Sequence, residues 1–210
     1  KGIGIFASGD TNVNGTLEYK YNGNASEAGM GIVYDHLGTP SKTNLANVKL
    51  NNSTATTGGM IGVYTIATSG TLINQGDITG TSSALEFGIV SNGADVINDA
   101  GRKIELGNAA AQANANVGIY SKAKNKTVNK GSIIVGDNAI GIYGYDVDND
   151  SGSLIKAGDN GVAVYTHDTG TNVNLNAGST ITVGGNQAVG VYAVGTNQNL
   201  NANSGATMNI

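Results

Sequence analysis

The chain has 210 residues, long enough for one or two domains with a sizeable core. Its 33 Gly are about twice the usual share, its charged residues (12%) about half, its formal net charge is −4, and it has no cysteine. These values exclude disulfides, thiolate metal sites and a general attraction to nucleic acid; a 39% hydrophobic content excludes disorder. No stretch approaches the ~18 apolar residues of a spanning helix.

Along the chain, a motif of a small residue, Ile or Val, and usually an aromatic opens at Gly4-Ile5-Phe6. It returns at Gly31-Ile32-Val33, Gly62-Val63-Tyr64, Gly88-Ile89-Val90, Gly118-Ile119-Tyr120, Gly141-Ile142-Tyr143, Ala163-Val164-Tyr165 and Gly190-Val191-Tyr192. Successive starts lie 27, 31, 26, 30, 23, 22 and 27 residues apart, so the bare repeat is near 22 and longer intervals carry insertions. A second landmark, Asn or Asp two residues before Gly, reads Asn74-Gln75-Gly76, Asp99-Ala100-Gly101, Asn129-Lys130-Gly131, Asp150-Ser151-Gly152, Asn176-Ala177-Gly178 and Asn203-Ser204-Gly205. A third, apolar-x-apolar-Gly, follows at Ile104 to Gly107, Ile133 to Gly136, Ile155 to Gly158 and Ile181 to Gly184.

Each repeat therefore holds three short period-2 segments punctuated by Gly, Asn and Asp, which is strand-and-turn chemistry. Asn108 to Val117 is the only helix-friendly run, and it lacks an apolar stripe. One such repeat cannot bury its own apolar face, whereas stacked repeats bury a continuous interior. The pattern predicts an all-β fold: a right-handed parallel β-helix (solenoid) of about eight coils with three short strands per coil. Residues 1–210 read as a single segment, and because the chain begins and ends inside a repeat, as a piece excised from a longer repeat-containing chain.

Alternation assigns side chains to faces. It places Ile133, Val135, Ile181 and Val183 inward. It puts Ile140 and Ile142 on one face of their strand, and Ala139, Gly141 and Tyr143 on the other. With the aliphatic face inward, Tyr64, Tyr120, Tyr143, Tyr165 and Tyr192 stack outside as a ladder; inward Tyr beside Gly is the alternative. The landmark residues Asn74, Asp99, Asn129, Asp150, Asn176 and Asn203 fall at a bend, where stacked amides can bond one coil to the next.

Catalysis on a polysaccharide would need acids and bases converging on one groove. The chain offers one Arg (Arg102) and two His, and His36 and His167 lie five coils, about 24 Å, apart. Asp146-Val147-Asp148-Asn149-Asp150 resembles the start of a calcium loop, but Ser151 and Ala157 occupy the places that need Gly and an acid. It reads better as an acidic outer stripe. Lys122, Lys124, Lys126 and Lys130 read as a solvated basic run, with an anionic glycan as the alternative ligand.

Eight Gly-Ile-Tyr-type copies with Asn-x-Gly bends resemble the passenger regions of large autotransporter adhesins (type V secretion) of Gram-negative bacteria. The resemblance spans all 210 residues as a repeat style. It implies a β-helical passenger at the cell surface or outer membrane, held by a C-terminal barrel absent from this segment. It also implies a structural and adhesive function on host or bacterial surface proteins or glycans, with no cofactor and no catalytic set. A polysaccharide-acting enzyme and a passive spacer are the alternatives. Solenoids diversify by insertion between strands. The longer intervals single out Glu18 to Glu27, Asp35 to Asn44 and Asn51 to Gly58, making Tyr19, Tyr21, Tyr34 and His36 the candidate ligand-binding residues.

Overall fold

The computed structural model describes residues 2–21, 29–52, 59–81 and 85–210; the side chains of Tyr21 and Asn52 fall outside the description. Among the described residues, twenty-three strands form three parallel sheets of eight, seven and eight strands. Successive strands within each sheet come from successive turns of the chain. The result is a parallel β-helix of seven complete three-strand turns, preceded by a partial one that lacks a strand in the second sheet. The helix-friendly run contributes a single 3-10 turn, Gln112–Asn114.

Most strands alternate buried and half-buried residues, because one face meets the interior and the other meets water. The third sheet stacks Leu17, Val48, Ile78, Ile104, Ile133, Ile155, Ile181 and Met208 in one inward column. The first sheet faces it with Ile5, Ile32, Val63, Ile89, Ile119, Ile142, Val164 and Val191. The second sheet adds Leu72, Val96, Thr127, Val147 and Val173, with Lys42 at the head of that column. Lys42 is buried, and its Nζ donates to the Gly9 carbonyl at 3.3 Å.

The first sheet departs from simple alternation. Its ladders pair Val117 with Ile140 and Ile119 with Ile142, passing over the glycines between them. A Cβ on Gly118 would lie 2.5 Å from the Gly141 carbonyl oxygen and 2.7 Å from Ile133 Cγ2, inside the solenoid. Gly62, Gly88 and Gly141 are crowded in the same way. Two successive residues thus face inward, the glycine and the following Ile or Val. The residue before the glycine is displaced outward, which corrects the placement of Ile140 and Gly141: Ile140 is half-buried on the outer surface and Ala139 is fully buried. Tyr143 lies outside, as expected.

Where the second sheet turns into the third, an amide ladder runs through the interior. Asn44, Asn74, Asn98, Asn129 and Asn149 are all fully buried. Each Nδ2 donates to the Oδ1 of the next at 3.0, 3.1, 3.0 and 2.9 Å. Tyr34 Oη caps one end by donating to Asn44 Oδ1 at 3.1 Å, and Asn149 Nδ2 ends the other on the Thr180 carbonyl at 3.2 Å. The spare amide hydrogens meet turn carbonyls such as Gly76 (2.8 Å) and Leu154 (3.1 Å). Asn74 and Asn129 stand where the sequence placed them. At two rungs the ladder residue is Asn98 rather than Asp99, and Asn149 rather than Asp150; Leu175 and Ala202 continue the column where Asn176 and Asn203 were expected.

Candidate functional site

Of the four residues proposed from the insertions, two turn inward. Tyr34 is fully buried beneath the amide ladder, because Val33 takes the outward position in register with Phe6 and Tyr64. Burial pushes its phenol well above the usual tyrosine range. Tyr19 follows Leu17 by two residues on the same face, packs partly buried against the core, and rests its ring on the backbone of Gly29. Tyr34 thus offers no ring to an external ligand, while Tyr19 keeps part of its side chain at the surface. Tyr21 pairs through its backbone with Asn52, and its side chain lies outside the described residues, as do 22–28 and 53–58. His36 is exposed, on a polar hollow with Asp35, Thr39, Pro40, Thr68 and Ser69.

The outer face of the first sheet carries the aromatic ladder. Tyr120 and Tyr143 stack with ring centroids 5.0 Å apart and Tyr143 and Tyr165 at 4.9 Å, while Tyr192 continues the row 5.2 Å from Tyr165, tilted by 30°. Tyr64 is set apart because Val90 fills the rung between it and Tyr120. Lys122 covers Tyr64 instead, with its Nζ 4.9 Å from the ring centroid. His167 leans on the ladder, 5.0 Å from the Tyr143 ring and 4.6 Å from that of Tyr145.

Beside the last two rungs lies a trough of about 300 Å³ that sequence reasoning did not find. Its floor is Ile140, Val162 and Val189, turned outward in three consecutive turns by the small residue that follows each, Gly141, Ala163 and Gly190. Tyr165 and Tyr192 form one bank. The other is a column of turn residues with left-handed backbone, Asn138, Asn160 and Gln187, at φ values of 56°, 54° and 48°. Asn and Gln serve there because their unbranched Cβ tolerates this region better than a β-branched side chain. The insertion that includes the 3-10 turn closes one end, and Gln112 Nε2 donates to the Asn160 carbonyl at 2.7 Å. Among the described residues, no acidic or basic side chain lines the trough. The neighbouring carboxylates of Asp137 and Asp159 accept the Asp159 backbone N–H and the Asn186 amide, both at 2.9 Å.

The acidic stripe lies outward, as the alternation requires, and its charges are engaged. Asp146, Asp148 and Asp150 each accept from an Asn side chain one turn on, at 3.2, 2.7 and 2.7 Å. Asn199, Asn201 and Asn203 extend the three lines. Lys126 pairs with Asp148, so the basic run is not a uniform cationic patch. Among the described residues, no group of three or more His, Cys, Asp or Glu is placed to hold a metal ion.

No protein-family model, curated protein or solved structure matches the chain.

Proposed function

We propose that this chain is a rigid β-helical segment of an exported adhesin passenger, displayed at the cell surface, where it supports or mediates attachment to host or bacterial surfaces. The observation that carries this reading is the unbroken stacking of three parallel sheets, tied inside by five asparagines and outside by a row of four tyrosines. Such a stack holds its outer side chains in fixed rows and transmits load along its axis through every rung at once. Its outer faces present amides, hydroxyls and tyrosines in repeated columns, a surface suited to contact. Binding and support, not catalysis, are the activities proposed.

The test is gain of attachment. The segment is displayed on an inert bacterial surface between an export signal and a membrane barrel, and adhesion to epithelial cells and to sister bacteria is compared with that of a flexible linker of equal residue number. Increased attachment in either assay is the expected result. Display without attachment would reduce the segment to a spacer.

A further inference from the structure

We propose that the trough over Ile140, Val162 and Val189 is a binding subsite for a neutral oligosaccharide lying along the solenoid axis. The inference deepens the adhesive reading by naming a ligand class for one surface of the segment.

Shape comes first. The three floor residues stand on consecutive rungs, so the trough is about 10 Å long at the ~4.8 Å rung spacing, the extent of a short run of sugar rings. Its floor is aliphatic and one bank is tyrosine, which together offer an apolar bed to the C–H face of a pyranose. The opposite bank carries one amide per rung from Asn138, Asn160 and Gln187; Asn138 Nδ2 already donates one hydrogen to the Ala109 carbonyl at 3.0 Å. An amide both donates and accepts, so it serves hydroxyl groups in either sense. An apolar bed with a few convergent polar groups is the usual make-up of a small-ligand site.

Charge and backbone geometry then narrow the ligand. With no acid or base lining the trough among the described residues, nothing there offsets the desolvation of a sialic acid, sulfate or phosphate group. An extended peptide would normally gain affinity by adding a strand to an open sheet edge. The trough runs over the last three strands of the first sheet, Ile140–Gly144, Val162–His167 and Val189–Val194; the first two are paired on both sides, and a strand added at the open edge of the third would run parallel to it, across the trough rather than along it. A peptide could engage it only through isolated side chains, while a sugar uses floor and bank together.

The experiment is saturation-transfer NMR on the folded segment. The probes are neutral di- to tetrasaccharides of glucose, galactose and N-acetylglucosamine, with a heparin tetrasaccharide and an apolar hexapeptide as competing classes. Transfer to the C–H protons of at least one neutral probe is expected. Affinity for that probe should fall at least tenfold in Tyr165→Ala and in Val162→Glu, and severalfold in Gln187→Ala, an exposed turn position that cannot unfold the core. Tyr120→Ala removes a ladder ring outside the trough and should leave binding unchanged. Transfer to no neutral probe, binding only of heparin or the peptide, or equal loss in Tyr120→Ala and Tyr165→Ala would each overturn the proposal. Attachment in the display assay without sugar binding would sink this inference alone, and sugar binding without attachment would sink the adhesive reading alone.

Discussion

At the residue scale, the buried asparagines bind one turn to the next, and each is held from both sides. Asn129 accepts from Asn98 at 3.0 Å and donates to Asn149 at 2.9 Å and to the Leu154 carbonyl at 3.1 Å. Asn129→Ala leaves those partners buried and unmet, so it should cost about 1–3 kcal/mol in urea unfolding. Asn201→Ala, at the exposed end of an outer line, should stay within about 0.5 kcal/mol. Equal losses would show that the interior ladder has no special weight. Sequence reading found this column but slipped by one at Asn98 and Asn149, because it aligned the turns on glycine. Two turn lengths occur along the chain. Gly76 and Gly131 sit two residues after the ladder position, close against the backbone of the previous turn. Gly101, Gly152, Gly178 and Gly205 sit three residues after it, with φ between 72° and 88°. A longer turn shifts the polar landmark outward by one residue. Tyr34 supplies the pH dependence. Its phenol ionises at higher pH in the folded chain than the ordinary value near 10, so the contribution of the neutral group is complete below about pH 10 and is lost as pH rises through the folded value. Unfolding free energy should therefore decline above about pH 10. Tyr34→Phe should flatten that decline while costing roughly 1 kcal/mol at neutral pH for the lost bond to Asn44.

At the element scale, the strands of the first sheet show why the fold was legible and the trough was not. Stacked Ile and Val columns follow from period-2 alternation and recurring motif identity, both visible in the amino-acid order. The trough depends on a break in that alternation. A small residue, glycine in most turns and Ala163 in one, lets the main chain of one turn approach the next closely enough for two successive residues to face inward, and this step moves Ile140, Val162 and Val189 to the surface. The 30-residue interval from Gly88 to Gly118 was a visible sign of an insertion, yet the run from Asn108 to Val117 has neither aromatic nor charge to mark it as a wall. The aromatic ladder is itself a tie between elements. Tyr143 touches a stacked ring on each side, and such pairs contribute about 0.5–1.5 kcal/mol each beyond area burial. Tyr143→Ala should thus cost about 1–3 kcal/mol from stacking alone, while Tyr192→Ala, with one partner and a side chain half exposed, should lose no more than about half as much. Equal destabilisation in thermal or urea melts would mean that the stacking does not carry the tie.

At the scale of the whole molecule, a solenoid is held by contacts between adjacent turns, so its stability is close to a sum of turn and interface terms. This makes a whole turn removable where a partial turn is not. Deleting residues 140–161 takes out 22 residues, the offset by which Ile140 pairs with Val162. The joined chain would set Ile119 on Val164, Tyr120 on Tyr165 and Ile133 on Ile181, each a pairing of like with like. The amide ladder would end early, with Asn129 opposite Leu175 and in place to donate to the Thr180 carbonyl as Asn149 does now, and the outer lines would lose their three aspartates. The shortened protein should keep a β-type far-UV spectrum, unfold cooperatively at lower urea, and measure about 5 Å shorter by solution scattering. Deleting residues 140–150 instead removes one first-sheet strand and one second-sheet strand but leaves the third-sheet strand Leu154–Ala157 behind. Every following element would then face the wrong sheet, and the C-terminal turns should lose their cooperative transition. If both deletions unfold the chain alike, the turns are not interchangeable units, and what holds the stack is the particular sequence of each turn rather than the register between them.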